Sequence, residues 1–441
     1  MSGSEPAEGL LMTANASTTG AKTFEWWMLA MFAVGLSYSA FISLLIPPYV
    51  SSLQGGSAST AGVVMAIIAL GALAGPPIGG FADKYRAHRL VMVLGVGAMA
   101  LAFVALALTA DNTELYALDA ILMGVGVAAV SATAPVLIAG ARLSQAAEAK
   151  QMTTLQLMMP AGQVAGGVIL AAATAWSFAD RFWLGAVIVG VLTAIVWFTS
   201  AGPGARLEAA VEITEAEAAA AQQVRKASLK QVFISAFGIY IAVMVLSSVA
   251  NNGVNSQISN ILPNVYGIDE QTTSALISLA GLLNIVLYFP AGRWMAKRGA
   301  FPPYSAGIVA RMVAGLGMAL VGIASGNQVV LGAAFMQLMY QAAPFTRLPQ
   351  TTLAVRMADF PAGMASGWVI AASAVGSFLG SLIGGFLADK YGFNAINWMA
   401  AVAAAASVVV LWLWLRPREA ERRHTEEARA ATNHPTADPS G

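Results

Sequence analysis

Arg347 is a charged residue inside a long apolar segment, and hydrophobic packing gives no reason for a charge at this position. Gln337, Tyr340, Gln341 and Pro344 precede it in steps of three and four residues, which share one face of a helix. A guanidinium binds a carboxylate or phosphate through two parallel hydrogen bonds. The pattern therefore predicts a binding site for an anionic solute. The alternative is an arginine that extends to the nearer end of its segment or is held by neighbouring carbonyls.

A second stripe of polar side chains predicts the same kind of site. Ser248, Asn252, Asn255 and Ser259 follow one another at intervals of four, three and four residues, which again defines one helical face. Amides are costly to bury without hydrogen-bond partners, so this face should meet water or protein, and Gly253 would let the helix bend beside it. Hydrogen bonding between helices is the alternative. Weaker candidates for the same cavity are Tyr38, Gln156 and Gln163.

Asp119 is the acidic residue that lies within an apolar segment, about one turn from its end. It is a candidate for a proton or cation site, and a hydrated aspartate at a helix end is the alternative. Arg311 is predicted to mark the inner end of its own segment. The sequence contains no cysteine, no P-loop and no His-Glu-x-x-His motif. We therefore predict no catalytic residues, no metal site and no cofactor, and we do not expect an enzyme.

Twelve apolar segments must position these residues, and each is long enough to cross a bilayer as a helix. Hydrophobic residues make up 58% of the chain, charged residues make up 10%, and the mean hydropathy is +0.69. This composition excludes a soluble globular protein and predicts an all-α membrane protein. We number the predicted segments as spans 1 to 12: 26–47, 59–82, 90–110, 115–139, 151–173, 182–200, 233–258, 271–295, 303–324, 328–350, 363–388 and 394–415.

The loops alternate in their content of basic residues, which predicts the orientation of the chain. Lysine and arginine concentrate on the cytoplasmic side of membrane proteins. With the N-terminus in the cytoplasm, only Arg181 and Lys390 of the 23 basic residues fall in outer loops, and Arg311 and Arg347 fall within spans. We predict a plasma (inner) membrane protein with both termini in the cytoplasm. The net charge of +1 gives no reason to expect a nucleic-acid partner.

The two halves of the sequence resemble each other, which indicates a duplication and a pseudo-two-fold axis. Spans 1 and 7 end in similar segments with proline and tyrosine, and spans 2 and 8 both close on a glycine and a basic turn. The predicted parts are an N-terminal cytoplasmic tail (1–25), an N-terminal six-helix bundle (26–200), a central cytoplasmic linker (201–231), a C-terminal six-helix bundle (232–415) and a C-terminal cytoplasmic tail (416–441).

The turn after span 2 carries the most specific motif, GGFADKY at residues 79–85. It resembles the loop signature Gly-x-Leu-Ala-Asp-Arg-x-Gly-Arg-Lys of the major facilitator superfamily of secondary transporters, whose fold has two pseudo-symmetric six-helix bundles. Arg86 stands where the family has a glycine. A surface turn that merely ends a helix is the alternative. The resemblance implies a cytoplasmic gate between the halves at Gly79, Asp83, Lys84, Arg89 and Arg142.

Two further signatures of the family are incomplete in this sequence. Gln163 replaces the proline of a motif that is associated with drug and proton exchange. Ala120 replaces an arginine that takes part in proton coupling in other members. Both departures weaken the resemblance to proton-driven exporters.

These observations predict a secondary active or facilitative transporter that moves a small organic solute, anionic or polar, by alternating access. A proton-driven drug or metabolite exporter that uses Asp119 is the nearest alternative. A non-transporting sensor or membrane assembly factor with the same fold is an alternative of another class. The expected partners are a small-molecule substrate, the lipid bilayer and, as a candidate coupling ion, the proton. We expect a monomer.

Overall fold

Long apolar helices make up the protein. The computed structural model describes residues 23–53, 56–108, 116–139, 145–205, 235–324, 328–358 and 362–421, and these ranges contain no β-strand. Twelve helices within them are long and apolar enough to cross a membrane, so the predicted number of spans and the all-α class are confirmed. Most of the predicted linker and both predicted tails lie outside the described residues.

Spans 1 to 12 keep their numbers in the structure. They are Trp26–Ser52, Ala58–Lys84, His88–Leu108, Tyr116–Ala139, Lys150–Ala172, Phe178–Thr199, Ala236–Asn255, Glu270–Arg298, Phe301–Val321, Val329–Met357, Gly367–Tyr391 and Asn394–Glu421.

Span 1 is longer than predicted, because the helix continues through Pro47 and Pro48 to Ser52 instead of ending at residue 47. A proline inside a helix has no backbone N–H, so the carbonyl four residues earlier loses its helical partner. The carbonyl of Ser43 is in that position relative to Pro47. It accepts a hydrogen bond from the hydroxyl of Ser259 in span 7 at 3.1 Å. The proline thus provides a contact between the two halves of the chain.

Span 7 ends at Asn255, and a second helix, Ile258–Tyr266, begins after a break of two residues, Ser256 and Gln257. The sequence predicted a bend at Gly253, and the break comes three residues later. Gln257 leaves the helical conformation, with φ −128° and ψ 13°. Its side chain donates a hydrogen bond to the carbonyl of Ala58 at the start of span 2, at 2.9 Å. A contact with the other half therefore accompanies the interruption of the helix.

The helices pack within each half and also across the boundary between the halves. Span 3 packs against spans 4 and 6 in the first half, and span 9 packs against spans 10 and 12 in the second. Spans 2 and 11, and spans 5 and 8, meet across the boundary. Small residues let membrane helices approach closely. Gly162 of span 5 shows this, because a Cβ atom there would lie 2.0 Å from the carbonyl oxygen of Phe32 in span 1.

Replacement of Gly162 by alanine is expected to destabilise the protein, because the new methyl group must displace the backbone of span 1. Overpacking of this kind costs about 1–3 kcal/mol, so we expect a fall of several degrees in the Tm of the purified protein in detergent. The control is Gly190→Ala in span 6, where a Cβ meets no atom within 4 Å. Equal Tm values for the two variants would show that spans 1 and 5 do not pack as described.

Candidate functional site

Arg347 faces the space between the two halves from span 10. It lies ten residues before the helix end at Met357, or roughly 15 Å along the helix axis, and its side chain is exposed. Its Nη1 is 3.8 Å from Sδ of Met159, which belongs to span 5 of the other half. The hydroxyl of Tyr288 in span 8 lies close enough to the guanidinium to interact with it electrostatically. A charged side chain at this depth is thus exposed beside the boundary between the two halves.

Three polar side chains from three spans meet beside this arginine. The hydroxyl of Tyr340 in span 10 hydrogen-bonds Oδ1 of Asn255 in span 7. Tyr38 in span 1 lies close enough to interact electrostatically with both Tyr340 and Arg347. The structure therefore brings together four residues that the sequence singled out, and they come from both halves. We call Tyr38, Asn255, Tyr288, Tyr340 and Arg347 the central cluster.

Tyr38 occupies an irregular stretch of helix. Residues Gly35–Ile42 form a π-helix, and the hydroxyl of Ser43 donates to the carbonyl of Tyr38 at 3.0 Å. π-Helical turns are rare in proteins and occur frequently at functional sites. The wider turn sets the direction of the Tyr38 side chain in a way that regular helical periodicity does not predict. Tyr38, a weaker candidate from sequence, thus lies in the irregular part of span 1, and its role in binding stays a prediction.

The predicted glutamines form hydrogen bonds between helices. Gln337 donates to the carbonyl of Leu276 at 2.7 Å, and Gln341 donates to the carbonyl of Ala280 at 3.4 Å, so both bind span 10 to span 8. Gln163 is buried and donates to the carbonyl of Ile277 at 3.2 Å, which joins span 5 to span 8 across the halves. These contacts match the alternative of helix-to-helix bonding.

The four polar residues of the stripe on span 7 lie in different surroundings. Asn255 belongs to the central cluster through its hydrogen bond with Tyr340. Ser248 packs against span 11, where a Cβ on Gly376 would lie 2.5 Å from the Ser248 Cβ. Asn252 donates to the carbonyl of Ser248 in its own helix at 3.1 Å. Ser259 lies beyond the break and bonds span 1, as described above. Gln156 in span 5 is exposed.

Arg311 is buried in the middle of the second half, which corrects the prediction that it marks a helix end. It lies ten residues after the start of span 9, and 7% of its surface is exposed. Its Nη1 donates to the hydroxyl of Ser247 at 2.6 Å, and its Nη2 donates to that of Thr346 at 3.0 Å. Its Nε finds no acceptor among the described residues. The depth that singled out Arg347 could also have identified Arg311 from sequence.

The two arginines are electrostatic neighbours, because Thr346 precedes Arg347 directly and the charge of Arg347 acts on Arg311. Neither forms a salt bridge within the described ranges. Sequence reasoning also missed Tyr288, because a tyrosine in an apolar span gives no pattern that separates a binding residue from a packing residue. The second half therefore presents positive charge to the central cluster without a paired carboxylate.

Asp119 is buried in the first turn of span 4, with 3% of its surface exposed. The side chain is therefore not the exposed aspartate that the alternative describes, and its part in proton coupling stays a prediction. Asp180 offers a comparison, since it lies in the first turn of span 6 and hydrogen-bonds Ser177 at an exposed position. Asp119 and Asp180 thus occupy equivalent positions in their helices but differ in burial.

The halves are joined at one end of the molecule, which we call the closed end. This end includes the C-termini of spans 1 and 11 and the N-termini of spans 2, 6 and 8. Hydrogen bonds and a salt bridge cross between the halves here, and each involves a residue at or near a helix end. The pairs are Arg181 with Glu270, Asn260 with Ser51, Gln257 with Ala58, and Asp389 with Ala58 and Ser59.

The opposite end, where span 2 ends, is less tightly packed, and we call it the open end. A Cβ on Gly79 would meet no atom within 4 Å, and neither would one on Gly367 at the start of span 11. Asp83 has a side chain that is 71% exposed, and its carboxylate pairs with His88 of the same half at 2.7 Å. The hydrogen bonds and the salt bridge between the halves named above thus lie at the closed end, whereas the residues described at the open end are exposed or contact their own half.

Four of the five predicted gate residues can be placed in the structure. Gly79, Asp83 and Lys84 lie at the open end, in the last turns of span 2. Arg89, at the start of span 3, donates to the hydroxyl of Ser200 and the carbonyl of Trp197, which fastens it to span 6 of its own half. Arg142 lies outside the described residues.

Comparisons with known proteins identify relatives of this chain. The sequence model described as Major Facilitator Superfamily matches residues 27–362 and 350–438. No curated protein sequence is significantly similar to the chain.

Solved structures give three informative matches. A D-xylose-proton symporter matches with a TM-score of 0.69 and 13% identity, over 88% of this chain and 97% of the symporter. A POT family transporter in complex with 5-aminolevulinic acid gives 0.66 and 14%, over 88% and 94%. A nucleoside transporter gives 0.65 and 14%, over 88% and 96%. At these identities the likeness concerns the fold.

Proposed function

Because this chain belongs to the major facilitator superfamily, we propose that it carries a small organic anion across the membrane by alternating access to the central cluster. One observation carries this proposal. Arg347 exposes its guanidinium between the two halves at mid-depth, contacts Met159 of the opposite half and has no acidic partner among the described residues. A carboxylate or phosphate on the solute would supply the missing charge.

The electrostatics of the second half support an anionic cargo. A charge near the bilayer centre costs about 2.5–3.5 kcal/mol on insertion scales, so two arginines without a salt bridge among the described residues are costly to keep for a structural role alone. The hydroxyls of Tyr38 and Tyr288 lie near Arg347 and can donate further hydrogen bonds to an anion. The Asn255 amide adds a neutral donor. The cluster thus offers one strong anion contact and several weaker polar contacts, which suits a small polar acid.

The distribution of basic residues supports a cytoplasmic location for the open end. Lys84, Arg86 and Arg89 lie there, whereas the closed end holds Arg181 and Lys390. On the positive-inside rule, the structure then represents the inward-facing state of the carrier, with both termini in the cytoplasm. The proposed gate of Asp83, Lys84 and their neighbours would close this end in the opposite state.

The proposal is tested with the purified protein in two stages. Thermal stabilisation is measured against panels of carboxylates, organic phosphates, neutral sugars and nucleosides, and the hits are then tested for counterflow in liposomes. Stabilisation by anions with counterflow is the expected result. Binding and flux restricted to neutral or cationic solutes would overturn it, and binding without flux in any assay would favour the sensor alternative.

A proton-driven exporter is the second candidate, and the burial of Asp119 is the observation that favours it. A buried carboxylate in a spanning helix is a functional candidate because its charge is costly to keep there. The side chain lies at the closed end of span 4, away from the open end of the cavity. A proton would therefore have to reach it when the closed end opens.

Replacement of Asp119 by asparagine is expected to uncouple flux from a pH gradient in this case, because the amide does not titrate. The expected result is transport in liposomes that no longer responds to an imposed gradient, against a several-fold response in the parent protein. Asp180→Asn, which alters the exposed first-turn aspartate of span 6, serves as the matched control. A response equal to that of the parent would remove Asp119 from the coupling mechanism.

A further inference from the structure

One sequence pattern occurs twice, at opposite ends of the molecule. Residues 78–85 read IGGFADKY at the end of span 2, and residues 383–391 read IGGFLADKY at the end of span 11. The two copies differ by one inserted residue, Leu387. Span 2 ends at the open end and span 11 ends at the closed end. The same sequence pattern therefore lies at both ends of the cavity, and its two copies have different surroundings.

The aspartate of the second copy binds the other half of the molecule. Asp389 accepts hydrogen bonds from the backbone N–H groups of Ala58 and Ser59, both at 2.9 Å, through its two carboxylate oxygens. Ser57 accepts from the N–H of Thr60 at 3.1 Å. The first N–H groups of a helix have no partner within it, and the helix dipole places positive charge there. A carboxylate from span 11 therefore completes the cap of span 2.

The glycines of the second copy make the approach of the two helices close enough for this contact. A Cβ on Gly385 would lie 2.5 Å from the carbonyl oxygen of Ala58, and one on Gly62 would lie 2.6 Å from that of Ser381. In the first copy, a Cβ on Gly79 or Gly80 would meet no atom within 4 Å. The second copy is docked on a helix of the other half, and the first copy is not.

We propose that Asp389 is a latch that holds the closed end shut and so favours the state in which the cavity opens at the Asp83 end. The inference rests on the proposed alternating access. When the closed end opens, spans 2 and 11 separate and the N–H groups of Ala58 and Ser59 turn to water. Loss of the carboxylate therefore destabilises the state seen here and leaves the other state unaffected. Asp389 acts on the conformational equilibrium and does not touch the solute.

The latch is tested by accessibility, for which the absence of native cysteine gives a clean background. Ser381 is 3% exposed on span 11 and packs on span 2, so Ser381→Cys reports opening of the closed end. A membrane-impermeant maleimide is applied from the closed-end side of oriented vesicles. Asp389→Ala removes both acceptors and is expected to speed labelling by about fivefold, whereas Asp389→Asn keeps one acceptor, loses the charge and should speed labelling by a smaller factor.

The matched control is Asp269→Asn. Asp269 caps span 8 at the same end, but it does so within its own half by accepting from the N–H of Thr272 at 2.8 Å. Hydrogen bonds from Thr272 hold the pKa of Asp269 below its usual value, so it is charged at neutral pH as a capping carboxylate should be. Its replacement should leave the labelling of Ser381→Cys unchanged, because no contact between the halves is lost.

A second reporter separates a shift of state from unfolding. Gly367→Cys lies at the open end, where a Cβ has free space. Partial unfolding would speed labelling at both ends, whereas release of the latch speeds it only at the closed end. Unchanged labelling of Ser381→Cys in both Asp389 variants overturns the latch. Because no solute is needed, the latch can stand if anion transport fails, and it can fall while anion transport is confirmed.

Discussion

Uptake of an anionic solute is expected to fall by at least about a hundredfold when Arg347 is replaced by glutamine. A bidentate contact between a guanidinium and an anion contains two charge-assisted hydrogen bonds, each of which contributes roughly 1.5–3 kcal/mol. Glutamine keeps a polar side chain of moderate length but supplies no charge. Arg347→Lys should keep part of the uptake, because lysine retains the charge and loses the paired geometry.

The control for this prediction lies on the same helix. Arg356 is nine residues further along span 10, near its end at Met357 and outside the central cluster. Arg356→Gln should transport at close to the parental rate. Uptake is measured in liposomes with the protein amount normalised after gel filtration, so that a folding defect is not read as a binding defect. Parental uptake by Arg347→Gln would remove this residue from the site and leave the anionic cargo without its main support.

Replacement of Arg311 by methionine is expected to weaken anion binding by roughly tenfold to thirtyfold while the protein remains folded. The reason is electrostatic, because Arg311 is buried behind span 10 and is linked to Thr346, the residue before Arg347. Two charges roughly 10 Å apart in a medium of effective dielectric constant about 20 interact by roughly 1.7 kcal/mol. Methionine preserves most of the side-chain volume and removes the charge.

Folding and binding are measured separately for Arg311→Met. A buried charge replaced by a well-packed apolar side chain is often neutral or stabilising, so the Tm of the purified protein should stay within a few degrees of the parent. The Kd for the anion comes from ligand-dependent thermal shifts. Arg311→Lys, which retains the charge, should bind more tightly than Arg311→Met. If the two variants bind equally well, Arg311 only links spans 7, 9 and 10 and has no electrostatic role.

If the proposed anion transport is correct, the two arginines give the second half a different role from the first. The first half contributes Tyr38 to the central cluster and places Met159 beside Arg347, and neither side chain carries a charge. The second half contains both arginines, and its Asp389 accepts hydrogen bonds from the start of span 2 at the closed end. A solute that neutralises Arg347 would remain attached mainly to the second half while the first half moves relative to it. This difference follows from the positions of the charges, so the two halves need not contribute equally to solute binding.

The sequence by itself determined the number of spans, the all-α class and the family, and it singled out Arg347 as the first candidate for binding a solute. These features depend on the length of apolar runs and on the cost of a charge in the membrane, which are properties of the residues and their immediate neighbours. The sequence also predicted the polar faces of spans 7 and 10, since the helical period determines which residues share a face. Asn255 and Tyr340 were identified in this way, and both reached the central cluster.

Only the tertiary structure decided which neighbour each face meets. Gln337, Gln341 and Gln163 lay on promising faces, but span 8 offers them backbone carbonyls. Arg311 was assigned to a helix end, and the packing of spans 7, 9 and 10 buries it instead. The role of Asp389 depends on the start of span 2, more than 300 residues earlier in the chain. Periodicity fixes the direction of a side chain around its own helix, whereas its partner depends on the rotation and depth of a second helix, which no local pattern encodes.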